Sequence, residues 1–229
     1  GTPDDLGLNA NASITATIND ELSIQSDIRT QAFLRGSYLD IDTLALATDS
    51  GQVLIDGRVD WSDAVSINAN YSIEDSAPGS YLALEDSGIV LANLASRGQV
   101  ELIMPAGGDM NLSLQVPEIS VVVNDRTIAG SSELAFDGSR WQLSQFQLNS
   151  DESHIDVQAE MNSDQTIQAA SVINIPNLSA FHPAIAGTIE ANANVSGNIN
   201  APVIDLDLLA SQVQFQGIDD NRTESWWHE

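Results

Sequence analysis

The sequence predicts an all-β chain built from repeated hairpins, and three observations support this fold class. Apolar and polar residues alternate with a period of two along most of the chain, for example over residues 65–71. Short turn signals such as Asn124-Asp125 separate the alternating runs. The third observation is an internal repeat, in which residues of about 31–61 correspond to residues of about 133–161. The function should therefore depend on what a repeated sheet can build.

The repeat consists of two similar hairpins at a fixed offset. Each copy runs from an apolar strand into a polar turn, Asp49-Ser50-Gly51 or Asp151-Glu152-Ser153, and returns as an alternating strand. Aligning Gly36 with Gly138 sets the offset at 102 residues. The offset then pairs apolar with apolar residues: Leu39 with Trp141, Ile41 with Leu143, Leu44 with Phe146, Leu46 with Leu148, Val53 with Ile155, Ile55 with Val157 and Val59 with Met161.

Composition excludes several classes of function. The 229 residues include no cysteine and no lysine. They include 33 acidic and 7 basic residues, which gives a net charge of -26. This charge repels nucleic acid and offers anionic membranes no basic patch. The aspartates mostly alternate with apolar strand residues, as on a solvated strand face. A disulfide scaffold and thiolate chemistry are excluded, and the composition is compatible with the periplasm.

The successive runs and turns predict roughly eighteen strands. The first turn is placed at Asn19-Asp20 and a break at Ala77-Pro78-Gly79. Residues 80–97 fit a short buried strand or a helical segment, and we interpret them as a strand. Asn177 opens a short segment that predicts a single capped helical turn up to Pro183.

An antiparallel sheet of this size must curl, split into two packed sheets or close, which leaves three shapes. A membrane barrel is disfavoured because aromatic residues make up only 5% of the chain and the strands vary in length. A sandwich would bury the apolar faces against each other, and a curled trough would line a groove with them. From the residues alone, the sandwich core of an acidic, adhesin-like extracellular binding module is the favoured shape.

No residue pattern indicates catalysis, a cofactor or a metal site. His154, His182 and His228 are far apart in sequence, and serine never occurs in a Gly-x-Ser-x-Gly elbow. Two aspartate pairs, at 40/42 and 205/207, put two carboxylates on one strand face, but such pairs are usually solvated. We therefore do not expect an enzyme.

The stretch SVINIPNLSAFHPAIAGTIEANANVSGNINAPVIDLDLLASQVQF, within residues 171–216, resembles the TamB family. Its features are Pro-Asn-Leu after a strand, a turn from Pro183 to Gly187, a strand ending at Gly197, and Ala201-Pro202 before an Ile-Asp-Leu-Asp-Leu strand. The repeat unit LDIDTLALATDSGQVLIDGRVDW is similar to that family's repeat, and the resemblance extends over most of residues 31–216.

The resemblance implies a β-taco, a long curled antiparallel sheet with an apolar interior that conducts phospholipid between the inner and outer membranes. It also implies a periplasmic location, an inner-membrane anchor in the full-length protein, an outer-membrane partner of the TamA type, and a role in outer-membrane assembly and integrity. We expect residues 1–229 to be one continuous segment of a longer chain. Strand parity assigns the groove lining to Val53, Ile55, Val59, Trp61, Leu112, Leu114, Val121, Val123, Ile155, Val157, Ile189, Val195, Leu206 and Leu208.

Overall fold

The protein is a single antiparallel β-sheet of 13 strands in the computed structural model, and the strands follow one another in the sheet in chain order. The structure describes residues 6–17, 23–48, 50–77, 89–182 and 184–215. The predicted turn at Asn19-Asp20, most of the break at 77–79 and the residues 80–88 of the predicted strand at 80–97 lie outside these ranges.

The strands are long, each of 10 to 15 residues, and hairpin connections join them. Their bounds are β1 Leu6–Thr17, β2 Ser23–Arg35, β3 Tyr38–Thr48, β4 Gly51–Asp60, β5 Val65–Ser76, β6 Leu91–Met104, β7 Asn111–Val123, β8 Arg126–Phe136, β9 Arg140–Ser150, β10 Ser153–Asn162, β11 Thr166–Ile175, β12 Ile185–Asn198 and β13 Ala201–Phe215. A 3-10 helix, Leu178–Ala180, lies between β11 and β12.

The sheet is open and curled, and in the described residues no second sheet packs against it. Strand β1 pairs only with β2 and strand β13 only with β12, so the sheet does not close into a barrel. Buried apolar residues among those described are few and small: Ala32, Val116, Ala180 and Ala191. A sandwich would bury large side chains between two layers. The sandwich favoured by the residues alone is therefore wrong, and the curled all-β sheet is confirmed.

The strand count is lower than predicted because several long strands carry β-bulges. A bulge inserts one extra residue, so the apolar side chains change from even to odd positions within one strand. In β7 the shift falls between Val116 and Ile119, around Pro117, a residue type that normally marks the end of a strand. Gly187, expected in a turn, lies inside β12 at another bulge with φ +117°. Thirteen strands spaced by about 4.8 Å span about 60 Å, against the ~85 Å that eighteen would give.

The two repeat copies have the same hydrogen-bonding register. In the first copy Leu39 pairs with Val59 and Leu46 with Val53. Adding 102 to each number gives the pairs Trp141–Met161 and Leu148–Ile155 of the second copy. The bulge repeats as well, at residues 42–43 of β3 and 144–145 of β9. The correspondence also includes β2 and β8, so it covers residues 27–60 and 129–162.

The hairpin connections form two opposite rims of the sheet. The turn rim contains the connections 36–37, 61–64, 105–110, 137–139, 163–165 and 199–200. The opposite rim, which we call the strap rim after residues 176–182 that lie along it, contains the described parts of the connections at 50, 77–90, 124–125, 151–152 and 176–184. Asn177 caps the 3-10 helix on the strap rim, where its Oδ1 accepts a hydrogen bond from the Ser179 backbone N–H at 3.1 Å. The predicted capped turn is therefore present.

Candidate functional site

One face of the sheet is apolar from its first strand to its last. Residues that pair across neighbouring strands lie on the same face, so the register defines two faces. We call the face that carries Val53 and Ile55 the apolar face and the opposite one the polar face. One complete row of cross-strand partners on the apolar face takes a residue from every strand: Leu6, Leu34, Leu39, Val59, Ile67, Leu102, Leu112, Phe136, Trp141, Met161, Ile167, Gly197 and Pro202. This row contains no polar side chain.

The register brings thirteen of the fourteen predicted lining residues to the apolar face. Trp61 is the exception, because it follows β4 in the turn rim, where 43% of its surface is exposed and its N–H donates to Ser37 O. The thirteen lie on five strands: Val53, Ile55 and Val59 on β4, Leu112, Leu114, Val121 and Val123 on β7, Ile155 and Val157 on β10, Ile189 and Val195 on β12, and Leu206 and Leu208 on β13.

Sequence reasoning left out many residues of this face, including the bulkiest ones. Trp141 and Phe136 stack with ring centroids 4.6 Å apart in the middle of the complete row. Tyr71 lies over Gly98, where an added Cβ would come within 2.8 Å of the Tyr71 ring. The offset of 102 matched Trp141 with Leu39, so including the apolar residues of both strands of each hairpin in the lining would have found Trp141. Tyr71 ends the alternating run over residues 65–71, so including that run in the lining would have found it.

Exposure differs between the edge strands and the interior strands. Leu206 and Leu208 on β13 are each 55% exposed, and Leu8 on β1 is 45% exposed. Residues at equivalent positions of interior strands, such as Ile155 and Val157, are half-buried by their neighbours. The face therefore offers a strip of partly covered apolar surface whose two edge strands are open to solvent.

Charged side chains occupy the polar face. Arg126, at the mouth of the β7–β8 hairpin, is the one charged residue that the described pairing places on the apolar face. On the polar face Arg58 Nε donates to Asp40 Oδ1 at 2.6 Å, and the Arg58 guanidinium lies 4.4 Å from the Tyr38 ring centroid. The hydrogen bond with Asp40 raises the pKa of Arg58 above its already high ordinary value. These exposed pairs orient side chains but contribute little to stability.

Two hollows lie on the polar face at the equivalent bulges of the two copies. The hollow of about 640 Å³ is lined by Asp40, Ile41, Asp42, Asp56, Gly57 and Arg58 among others. Adding 102 gives Gln142, Leu143, Ser144, Gln158, Ala159 and Glu160, which line the hollow of about 490 Å³ in the second copy. Both are shallow, and Asp56 already accepts a hydrogen bond from Asn70. They follow from the bulge geometry, and the described residues contain no cluster of three or more metal-binding side chains.

Three aspartates on the turn rim close its connections. Asp60 accepts from the Ser62 backbone N–H and hydroxyl, and these bonds lower the pKa of Asp60. Asp137 does the same with Ser139, and Asp164 with Thr166, with the side-chain hydroxyl as the main cause of the lowered pKa in both. A carboxylate that accepts hydrogen bonds is stabilised in its charged form. The turn rim is therefore anionic at neutral pH.

The family comparison supplies the identity that geometry alone cannot. The family model described as TamB, N-terminal domain, matches residues 8–224, which is nearly the whole chain. The chain belongs to the TamB family. The match begins before residue 31, where the resemblance seen in the sequence started, so β1 and β2 belong to the TamB domain as well.

Membership of the TamB family places the chain in an envelope-associated group that serves lipid transport and assembly and is not enzymatic. Neither the curated proteins nor the solved structures contain a match to this TamB chain. Within the described residues, no helix has the length and apolar character needed to span a bilayer.

Proposed function

We propose that the apolar face conducts phospholipid across the periplasm between the inner and outer membranes. The complete apolar row across all 13 strands is the observation that carries this proposal. A discrete binding pocket would hold one ligand, whereas a continuous strip of similar side chains lets a ligand move along it. The lining consists of the thirteen predicted strand residues together with the rest of the row.

The energy needed is within reach of such a strip. Removing an acyl chain of sixteen carbons from a bilayer into water costs about 12 kcal/mol, at ~0.8 kcal/mol per methylene. Contact with the strip keeps the chain out of water and removes much of this cost. The strip is nearly uniform, since Leu, Val and Ile supply most of the row, so no single position traps the chain.

The distribution of charge supports the same function. Acyl chains lie along the apolar face, and headgroups stay in water beyond the rims. The carboxylates of the polar face keep the outside of the sheet hydrated and discourage the two faces from associating. In the full-length protein, which we expect to be anchored in the inner membrane, an outer-membrane partner of the TamA type receives the lipid and the pathway supports outer-membrane integrity.

Site-specific photo-crosslinking in cells tests the proposal. A photoreactive residue at Ile55, Val157 or Leu206 on the apolar face should capture phospholipid. The matched controls are the next residue or the previous one on the same strand, Asp56, Asp156 and Asp205, which point to the polar face and should capture none. Equal lipid labelling of both sets would contradict the proposal.

The alternative of an adhesin-like binding module rested on a sandwich core. The single layer removes that basis, and no other observation favours it.

A further inference from the structure

A short segment lies across the strap rim and covers one end of the apolar face. Residues 176–182, which we call the strap, connect β11 to β12 and include the 3-10 helix. Ala180 of the strap is buried, although it belongs to a connection. A cavity of about 240 Å³ separates the strap from the mouth of the β9–β10 hairpin, with Ser150 and Ser153 on its floor. The 3-10 helix of the strap packs against β12, and the strap faces the ends of β9 and β10 across this cavity.

The strap reaches a turn that is distant in the sheet. Phe181 O accepts a hydrogen bond of 2.7 Å from Nδ2 of Asn124, which lies in the β7–β8 turn. Strands β8, β9, β10 and β11 lie between that turn and the start of the strap, so this hydrogen bond joins parts of the sheet that are distant in strand order. This contact ties it down at its far end.

Asn124 is well suited to hold the strap. Its Oδ1 accepts from the Val90 backbone N–H at 2.8 Å, and its own N–H donates to Val90 O at 3.0 Å. The first bond holds the Asn124 side chain and the second its backbone, and Nδ2 of the same side chain donates to Phe181 O. The residue has φ +47°, a left-handed conformation that asparagine and aspartate tolerate better than most residues.

The same place in the first copy looks different. Leu46, Val53 and Ile73 line a hollow of about 270 Å³ at the strap rim there, together with Thr48 and Gly51. Adding 102 to Thr48 and Gly51 leads to Ser150 and Ser153, the floor beneath the strap. Equivalent rim positions thus carry an apolar hollow in one copy and a strap seat in the other.

We propose that the strap is a lateral stop on the lipid track and that Asn124 is the positioning residue that holds it. This inference rests on the function proposed above. With the strap in place, an acyl chain on β8–β10 cannot leave or join the apolar face over the strap rim and is confined to movement along the file of strands. Releasing the strap opens a side route to the Leu148–Ile155 pair, the first apolar pair inward from Ser150 and Ser153.

The substitution Asn124→Asp tests this with little other change. Aspartate keeps the acceptor for Val90 N–H and tolerates the left-handed backbone, but it loses the donor to Phe181 and places a negative charge against a carbonyl oxygen. Asn93→Asp is the matched control, because Asn93 also has positive φ (51°), is exposed and lies outside the strap. Thermal unfolding of both variants checks that the sheet remains folded.

The chain contains no cysteine, so Ser153→Cys provides a single thiol beneath the strap. We expect maleimide to label this thiol about tenfold faster in the Asn124→Asp background, the factor that one lost hydrogen bond produces in an opening equilibrium. Asn93→Asp should leave the rate unchanged. An unchanged rate in Asn124→Asp would show that Asn124 does not hold the strap and would overturn the proposal.

Photo-crosslinking to lipid tests the role of the strap separately from the proposed lipid-conducting function on which it rests. The probe is a vesicle of phosphatidylethanolamine with a tritiated palmitoyl chain, and photoreactive residues are placed at Ile155 and, as a distant reference, at Ile55. We expect Asn124→Asp to raise the adduct at Ile155 several-fold and to leave the adduct at Ile55 unchanged. An unchanged adduct at Ile155 with a clear adduct at Ile55 would overturn the strap alone. No adduct at either position in any background would overturn the lipid track itself.

Discussion

The two repeat copies have the same backbone pairing but different side chains. The cross-strand pairs among β2, β3 and β4 within residues 27–60 keep their partners in residues 129–162 after the offset of 102, including the bulge, except for Arg35–Tyr38 at the end of the β2–β3 hairpin. The side chains on the apolar face differ in volume. The second copy has Phe136, Trp141 and Phe146 where the first has leucine, and it has Gly130 where the first has Ile28.

This difference separates what the fold requires from what the surface requires. The register depends on the positions of turns and bulges, and both copies keep those. The surface requires only that its side chains be apolar, because the hydrophobic effect is non-directional and depends on area. A binding pocket would restrict shape at each position. Variation in volume at constant polarity is what a track for a sliding acyl chain permits.

A charge on the track should have the largest effect, and it should be equally severe in both copies. We expect Val157→Arg, and Ile55→Arg at the equivalent position of the first copy, to stop lipid movement while the sheet remains folded. In a single layer the charge can stay hydrated until an acyl chain must pass it. Ile155→Asp should act in the same way.

Gln158→Arg, next to Val157 but on the polar face, is the matched control and should be silent. Outer-membrane integrity in cells and thermal unfolding of the chain are the two measurements. If Val157→Arg unfolds the chain and Gln158→Arg does not, the Val157 side chain belongs to a packed core. If lipid movement stops in only one of Val157→Arg and Ile55→Arg, the two copies are not parts of one track.

Making the second copy resemble the first at Gly130 should destabilise the sheet. A Cβ at Gly130 would lie 2.0 Å from Gln147 O and 2.8 Å from Leu148 Cδ2, so Gly130→Ile requires the backbone to shift. Overpacking of this kind costs about 1–3 kcal/mol. Urea unfolding measures the free energy of unfolding. The control is Ile28→Val in the first copy, which should lower that free energy by about 1 kcal/mol. Equal stability of Gly130→Ile and the parent would show that the two backbones are interchangeable.

A smaller effect should appear at the turn rim as a dependence on pH. Asp137 occupies the position of Arg35 in the first copy, and hydrogen bonds from Ser139 hold its pKa below the ordinary value of 3.8. The stability from this charge is therefore fully present above pH 3.8 and is lost as pH falls through the lower folded pKa. We expect the difference in the free energy of unfolding between the parent and Asp137→Asn to disappear once the pH is below the folded pKa of Asp137.

Comparing the two proteins at each pH cancels the general effect of the net charge. A difference that persists at pH 2 would show that the carboxylate charge is not its source.

Calcium should have the smallest effect. In the first aspartate pair, Asp40 already accepts a hydrogen bond from Arg58, and its Oδ2 lies 3.7 Å from Nη1 of Arg35. In the second pair, Asp205 and Asp207 are exposed on the edge strand. We expect millimolar calcium to change the melting temperature no more than magnesium at equal ionic strength. A large rise specific to calcium would revive an adhesin-like function.

The sequence predicted the fold class and the hairpins well because both depend on local signals. Period-two alternation and polar turns are sufficient to place β3, β4, β9 and β10. The number of strands could not be read in the same way, because a bulge reverses the parity and looks like a strand end. Pro117 strengthened that error, since proline is normally excluded from strand interiors and is accepted at a bulge.

The candidate site was only partly predictable. Alternation identifies which residues of one strand share a face, and this placed Ile155 with Val157. It cannot say which face of one strand continues the face of the next, since that depends on the register. The strap could not be predicted either: the contact between Asn124 and Phe181 joins residues 57 positions apart, and neither residue type carries a signal for it.

The chain-order arrangement of the strands also bears on how the protein is made. Each strand finds its partner in the segment synthesised just before it, so pairing needs only short loop closures, which are fast. A chain delivered end-first through a membrane can therefore zip up one hairpin at a time, with only the newest strand lacking a neighbour. Such an assembly can grow in length by duplication of hairpins without a change in its folding rules, much as solenoid repeats do.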